Sequence, residues 1–193
     1  MPEKLSVIIP CFNEENLIGL ILEKVKASAS VHQLALEIIV VNDGSTDGTA
    51  ECLNEIKANN PSIQIIHLPR NKGKGAAIRT ALEKVTGDIT IIQDADLEYD
   101  PSDYHQMIRP IAAGHADVVY GSRFIGNGPH RVLFFFHTIG NKFLTFLSNL
   151  FTGLNLTDME TGYKMFSTEV LKQVNLKENR FGFEPEVTAK ISQ

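Results

Sequence analysis

Short apolar runs separated by amphipathic stretches fill the first two-thirds of the chain. The runs lie at residues 5–10, 37–41, 63–68, 89–93 and 117–120. They are short, β-branched and mostly apolar, the pattern of strands buried on both faces. Between them, residues 15–29, 47–58, 74–85 and 101–113 carry helical spacing. Alternation at this interval predicts βαβ units, hence an α/β fold: a mostly parallel sheet flanked by helices. No repeat, low-complexity tract or linker rich in Pro, Gly or Ser interrupts the pattern, so the chain reads as a single domain.

Open parallel sheets bind their ligands beyond the carboxyl ends of the strands. The peptides at those ends are unusually polar, acidic and glycine-rich. Asp94-Ala95-Asp96 follows the run ending at Gln93, and Glu98 comes two residues later. Two carboxylates where a buried strand ends can reach one divalent cation, and hard oxygen ligands suit Mg2+ or Mn2+ bridging the phosphates of a nucleotide. Glu98 is placed to supply a third oxygen. A solvated acidic turn is the plainer alternative, and the position at a strand end favours the metal.

Asn42-Asp43-Gly44-Ser45-Thr46-Asp47-Gly48 ends the second run and opens a helix. Ser45, Thr46 and Asp47 all suit helix capping. Asp43 sits at the strand end itself, where a carboxylate accepts hydrogen bonds from a base or ribose. Gly73-Lys74-Gly75 opens the third helix, with Asp94 about twenty residues on, which invites a dinucleotide fingerprint. However, Ile78 stands where the third glycine belongs, and the loop follows the third strand, not the first. Turn chemistry is the better reading of these glycines.

Composition narrows the function further. Apolar residues make up 43% and charged residues 21%, values of an ordinary globular chain able to bury a core without staples. The net charge of −5 argues against nucleic-acid binding. Two cysteines, Cys11 and Cys52, are too few for a disulfide framework and fit a reducing, cytoplasmic setting. The chain starts Met1-Pro2-Glu3-Lys4 and enters the first apolar run at once, so no secretory leader is expected.

Taken together, the segments 5–15, 41–49, 71–77 and 94–98, followed by Gly121-Ser122-Arg123-Phe124 and by residues 157–164, resemble family-2 glycosyltransferases of the GT-A fold. The dolichyl- and polyprenyl-phosphate sugar synthases are the nearest resemblance, and it covers nearly the whole chain. It implies a nucleotide-sugar pocket lined by Pro10, Phe12, Glu14, Asp43 and Lys74, with Asp94, Asp96 and Glu98 holding Mg2+ or Mn2+ and, through it, the diphosphate. It implies a catalytic centre of Asp96 and Arg123, with Arg123 reaching the donor or the acceptor phosphate and Arg131 and Lys164 drawing the acceptor phosphate. Asp158 and Glu160 are base candidates should the acceptor be a hydroxyl, with loop capping as their plainer role. The implied activity is inverting transfer of a hexose from a nucleotide-diphosphate sugar to a lipid phosphate. A hydroxyl acceptor, a sugar nucleotidyltransferase and a non-catalytic nucleotide-binding module are the alternatives. Residues 1–125 would form the nucleotide-sugar half and 126–193 the acceptor side.

Residues 118–157 contain no Asp or Glu in an acidic protein. Within them, a helix expected over 132–151 holds six of the eleven phenylalanines. Its length could span a bilayer, but His137, Asn141, Lys142, Thr145, Ser148 and Asn149 interrupt it. An interfacial helix, on the cytoplasmic face of a membrane, fits that composition. A helix packed on its own domain or on a second subunit fits it as well. The last helix, expected from about Pro185, lacks a closing glycine or segment where the resembled family usually continues, so a piece of a longer protein or a reduced homologue is expected.

Overall fold

The structure, a computed structural model, describes residues 2–124 and 135–193. Among them six strands form one sheet in the order β3-β2-β1-β4-β6-β5. β1 (Lys4–Cys11), β2 (Ala35–Asn42), β3 (Gln64–His67) and β4 (Ile89–Ile92) run parallel. The helices joining them are α1 (Ile18–His32), α2 (Thr49–Asn59) and α3 (Lys74–Leu82). A short 3-10 turn, Pro101–Asp103, leads into α4 (Tyr104–Ala112) and then β5 (Val118–Tyr120). The remaining elements are α5 (Phe135–Thr152), β6 (Lys164–Ser167), α6 (Thr168–Gln173) and α7 (Phe183–Ile191).

Alternate residues of the central strands enter two separate apolar layers, as the pleat requires. Leu5, Val7 and Ile9 of β1 pack with Ile18, Ile21 and Val25 of α1 and with Tyr104 and Met107 of α4. Ile8 of β1, with Ile39 and Val41 of β2, packs with Ala77 and Ile78 of α3, Leu171 of α6, and Phe183 and Val187 of α7. The sheet is therefore buried on both faces, which is why its strands read as continuous apolar runs.

Two elements depart from the sequence pattern. β6 was not legible: it is four residues long, starts at a lysine and follows a polar peptide. It inserts antiparallel between β4 and β5, pairing Ile91 with Met165 on one side and Val119 with Met165 on the other. The expected fifth parallel strand therefore pairs only with an antiparallel neighbour, and the sheet is mixed. α1 starts at Ile18, three residues later than expected, because residues 14–17 form a turn in which the Glu14 carbonyl accepts from the amides of Leu17 and Ile18. Both cysteines are free. Residues 132–134 of the expected Phe-rich helix lie outside the described residues.

Candidate active site

The loops after β1, β2 and β3 lock into one another at the carboxyl edge of the sheet. Asn13, in a left-handed conformation (φ 58), receives a bond from the Thr46 amide at 2.8 Å on its Oδ1 and donates its own amide to Ser45 Oγ at 3.0 Å. The Gly48 amide donates to Glu15 Oε2 at 2.7 Å. Asp47 caps α2 from one position upstream, accepting from the Thr49 amide at 3.1 Å. Asp43 is 3% exposed, and its two oxygens accept the amides of Lys72 at 2.8 Å and Gly73 at 2.7 Å. Gly73 has φ +97, and a Cβ there would collide with the carbonyl of Asn179. The glycines around Lys74 are thus turn and packing devices, as their spacing indicated.

These loops and the end of β4 enclose a cleft of ≈ 510 Å³. Pro10, Phe12, Glu14, Asp43, Lys74, Asp94 and Asp96, all expected in a nucleotide-sugar pocket, line it together. Arg180 and Phe181 line it as well. Sequence reading missed them because they lie in an irregular segment with no motif, and only the fold brings that segment over the start of α3. The Ala76 amide bonds the Asn179 carbonyl at 3.1 Å, tying the two together.

Asp94 leaves β4 beside Lys74, whose Nζ is 2.8 Å from its Oδ1. Burial alone would lower the Lys74 pKa, but Asp94 and Glu184 raise it on balance. Asp96 is exposed and accepts the Glu98 amide on Oδ1 at 3.0 Å. The Glu98 carboxylate turns away, with Oε1 3.7 Å from Arg123 Nη1. The expected trio therefore does not converge: among the described residues no three His, Cys, Asp or Glu side chains form a metal cage. Asp94 and Asp96 nonetheless fit Mg2+ or Mn2+, which are commonly held by one or two carboxylates together with substrate phosphates. The electrostatics agree. Glu14 has a raised pKa, first from burial and then from the charges of Asp96, Asp47 and Asp94, so this end of the cleft has an excess of negative charge.

A second cluster adjoins the first. Arg123 grips Asp158 through Nε to Oδ2 at 2.7 Å and Nη2 to Oδ1 at 2.9 Å, and its own amide also donates to Oδ2 at 3.1 Å. Asn141 Nδ2 donates to Asp158 Oδ1 at 2.9 Å. Burial would raise the Asp158 pKa, but the Arg123 and Asn141 bonds bring it below its ordinary value. A carboxylate so engaged is a poor base, and its place is that of an anchor for Arg123. Glu160 is half-buried, and its pKa is raised by burial and then by the charge of Glu184. Lys164, expected to face an acceptor, is 0% exposed. Its Nζ donates to the Met159 carbonyl at 3.0 Å and to that of Thr161, and lies 4.7 Å from the Tyr120 ring centroid. Burial lowers its pKa to about 8. It braces the 159–161 loop from inside and does not present its charge to the cleft. Arg131 lies outside the described residues.

α5 turns its polar side toward this cluster. Asn141, Thr145 and Asn149 recur at four-residue intervals and bond Asp158, the Met159 amide and Leu156, respectively. The opposite face is apolar and open: Phe135, Phe136, Phe143, Phe146 and Phe151 are 59–83% exposed. Among the described residues, no helix is long and apolar enough to cross a membrane.

The mixed sheet with its interlocked edge loops has the GT-A glycosyltransferase fold, as its likeness to solved structures shows. Residues 6–174 match the family described as glycosyl transferase family 2, and the chain belongs to that family. It is 28% identical over 189 residues to a dodecaprenyl-phosphate galacturonate synthase of Rhizobium johnstonii, covering 97% of this chain and 55% of the relative. It is 34% identical over 184 residues to the low-salt glycan biosynthesis hexosyltransferase Agl6 of Haloferax volcanii, covering 95% and 43%. The chain thus spans about half the length of these curated relatives. Among solved structures, a mannosyltransferase of Pyrobaculum calidifontis in complex with GDP-Man and Mn2+ aligns with a TM-score of 0.67 at 24% identity, covering 98% of this chain and 52% of that one. A glucosyl-3-phosphoglycerate synthase of Mycobacterium tuberculosis aligns with a TM-score of 0.68 at 22% identity, covering 95% and 63%.

Proposed function

We propose that this chain is the catalytic domain of a metal-dependent, inverting hexosyltransferase. It takes its sugar from a nucleotide diphosphate and passes it to a polyprenyl phosphate at a membrane surface. The observation that carries this reading is the adjacency of two groups of opposite charge. Asp94 and Asp96 end β4 in the nucleotide cleft, and the short loop through Glu98 leads directly to the guanidinium of Arg123. One end suits a cation with a diphosphate, the other an anionic acceptor.

Residues 1–125 form the donor half. Pro10 and Phe12 supply apolar walls for a base, and Asp43 fixes the amides of residues 72 and 73 so that their loop keeps its shape around the nucleoside. Asp94 and Asp96 would hold Mg2+ or Mn2+. When bound, the cation neutralises the charge that develops on the diphosphate leaving group. Arg123, held on Asp158 through Nε and Nη2, has its Nη1 side left to draw the acceptor phosphate. A phosphate monoester is already ionised near neutral pH, so the transfer needs no base. Its oxygen bonds the anomeric carbon as the bond from that carbon to the donor phosphate oxygen breaks, which inverts the centre. Residues 126–193 form the acceptor side. The open phenylalanine face of α5 lies back to back with the side that touches Asp158, a suitable site for peripheral attachment to the cytoplasmic face of a membrane. Support comes from relatives named for polyprenyl acceptors, including an undecaprenyl-phosphate 4-deoxy-4-formamido-L-arabinose transferase of Yersinia enterocolitica, and from a neighbour holding GDP-Man and Mn2+.

The test is incubation with radiolabelled UDP- and GDP-hexoses, Mn2+ and vesicles containing undecaprenyl phosphate. Label should move to the organic phase with release of nucleoside diphosphate, and EDTA should stop it. Release of pyrophosphate would identify a nucleotidyltransferase. Label remaining in a water-soluble product would identify a hydroxyl acceptor.

A further inference from the structure

Lys74 lies between two carboxylates of which the chemistry above uses one. Its Nζ is 2.8 Å from Asp94 Oδ1 and 2.9 Å from Glu184 Oε1, with the Lys74 and Glu184 side chains 17% and 6% exposed. Glu184 comes from the first turn of α7, at the opposite end of the sequence, and no motif announced it. Its second oxygen, Oε2, is buried with no hydrogen-bond partner among the described residues. Gly162 packs against this ion pair so closely that a Cβ there would collide with Asp94 Oδ2 and fall 3.2 Å from Lys74 Nζ, which leaves the carboxylate little room to turn.

A lysine needed only to neutralise Asp94 would require no second buried carboxylate, and burying an extra one is unfavourable. Lys164, close enough for its charge to be felt by this group, does not restore balance. Asp94, Glu184, Glu160 and Asp158 outnumber Lys74, Lys164 and Arg123. The surplus negative charge sits beside the acidic pair assigned to the cation. It also gives Lys74 an alternative partner when Asp94 is taken.

We infer that Lys74 is a built-in counter-ion competing with the divalent cation for Asp94, and that Glu184 is the positioning residue that receives Lys74 when the cation binds. This inference rests on the metal reading above. The ammonium makes Asp94 a weak ligand for a cation arriving alone. A nucleoside diphosphate brings negative charge that compensates Lys74, so cation and nucleotide each raise the affinity of the other by the same factor. The device favours loading of the cation together with its nucleotide.

Mn2+ binding followed by electron paramagnetic resonance, with and without GDP or UDP, tests this without reference to turnover. Lys74→Met should bind Mn2+ alone roughly tenfold more tightly than the wild type, because a competing charge at ion-pair distance is gone. Its gain in Mn2+ affinity on adding nucleotide should shrink. Glu184→Gln, which keeps the shape of the side chain, should bind Mn2+ alone several-fold more weakly, because a negative charge is lost and Lys74 turns wholly to Asp94. A folding defect would weaken both variants, so opposite signs separate the inference from damage, and thermal melts of each variant accompany the measurement. Unchanged Mn2+ affinity in Glu184→Gln, or weakened affinity in a folded Lys74→Met, overturns it. Asp96→Ala is the control on the underlying reading. If that variant binds Mn2+ as the wild type does, the metal assignment itself falls and the counter-ion role falls with it.

Discussion

Arg123 and Asp158 form a two-pronged ion pair, Nε to Oδ2 at 2.7 Å and Nη2 to Oδ1 at 2.9 Å, with the carboxylate 0% exposed and the guanidinium 23% exposed. The pair joins the loop after β5 to the segment before β6, and Asn141 joins both to α5. Of the two readings that the sequence left for Asp158, base or loop cap, neither describes this contact: the carboxylate holds the Arg123 guanidinium.

Asp158→Asn should therefore damage both stability and transfer. Weakening bonds between a part-buried guanidinium and its buried carboxylate costs about 1.5–3 kcal/mol. Urea denaturation should show that loss. Transfer at saturating donor should fall, with nucleotide affinity nearly unchanged, because the cleft lined by Asp43 and Asp96 is built from other loops. Equal stability of variant and wild type would refute the anchoring role.

Glu37 marks the opposite edge of the sheet. Its carboxylate accepts from Ser6 Oγ at 2.6 Å, from the Thr86 amide at 2.8 Å and Oγ1 at 2.6 Å, and from Lys4 Nζ at 2.9 Å. Burial opposes ionisation, but those bonds outweigh it and bring the pKa to about 2. A depressed folded-state pKa stabilises above the unfolded value, and that stabilisation is lost as pH falls through the folded one. Glu37→Gln should be less stable than the wild type by about 3 kcal/mol at neutral pH. The gap should narrow as pH drops from about 4.5 towards 2. A gap independent of pH would show that shape, not charge, matters at this position.

Asp43→Ala should loosen the loop before α3, since two amides lose their acceptor at once. Unsatisfied backbone donors cost about 1–3 kcal/mol each, less where water reaches them. Calorimetry should record weaker binding of GDP or UDP, and thermal melting a lower Tm. Asp43→Asn, which retains one acceptor oxygen, should recover part of both. If Asp43→Ala melts and binds nucleotide as the wild type does, the carboxylate does not organise this loop.

The phenylalanine face of α5 should carry membrane attachment. Phe143 and Phe146, 59% and 62% exposed, are suitable positions because they take no part in the Asn141–Thr145–Asn149 side. Burying one such ring contributes roughly 1.5–3 kcal/mol. Phe143→Ser/Phe146→Ser should therefore reduce co-sedimentation with anionic vesicles at least tenfold, with the Tm retained. A wild-type chain that stays in the supernatant would assign this face to another protein surface.

Hydrophobic periodicity was enough to place four parallel strands, their helices and the loops that carry Asp43, Lys74, Asp94 and Asp96. Strands buried on both faces must be apolar throughout, and the chemistry must then collect in the peptides that follow them, so both signals are local. β6 was invisible for the same reason: four residues beginning with a buried lysine have no period of their own, and only pairing with β4 and β5 makes them a strand. The polar residues of α5 read as interruptions of an apolar helix. In the fold they are its inward face, because Asp158, the Met159 amide and Leu156 wait there to be bonded, and the phenylalanines are left outside. Glu98 shows the same limit. Its spacing placed it with Asp94 and Asp96, but a guanidinium from the end of β5 holds its carboxylate elsewhere. The residue types and their order along the chain determined the fold class and the acidic cleft. Which carboxylate faces which cation was decided by contacts between segments up to about a hundred residues apart, such as Lys74 with Glu184, and no local pattern encodes those.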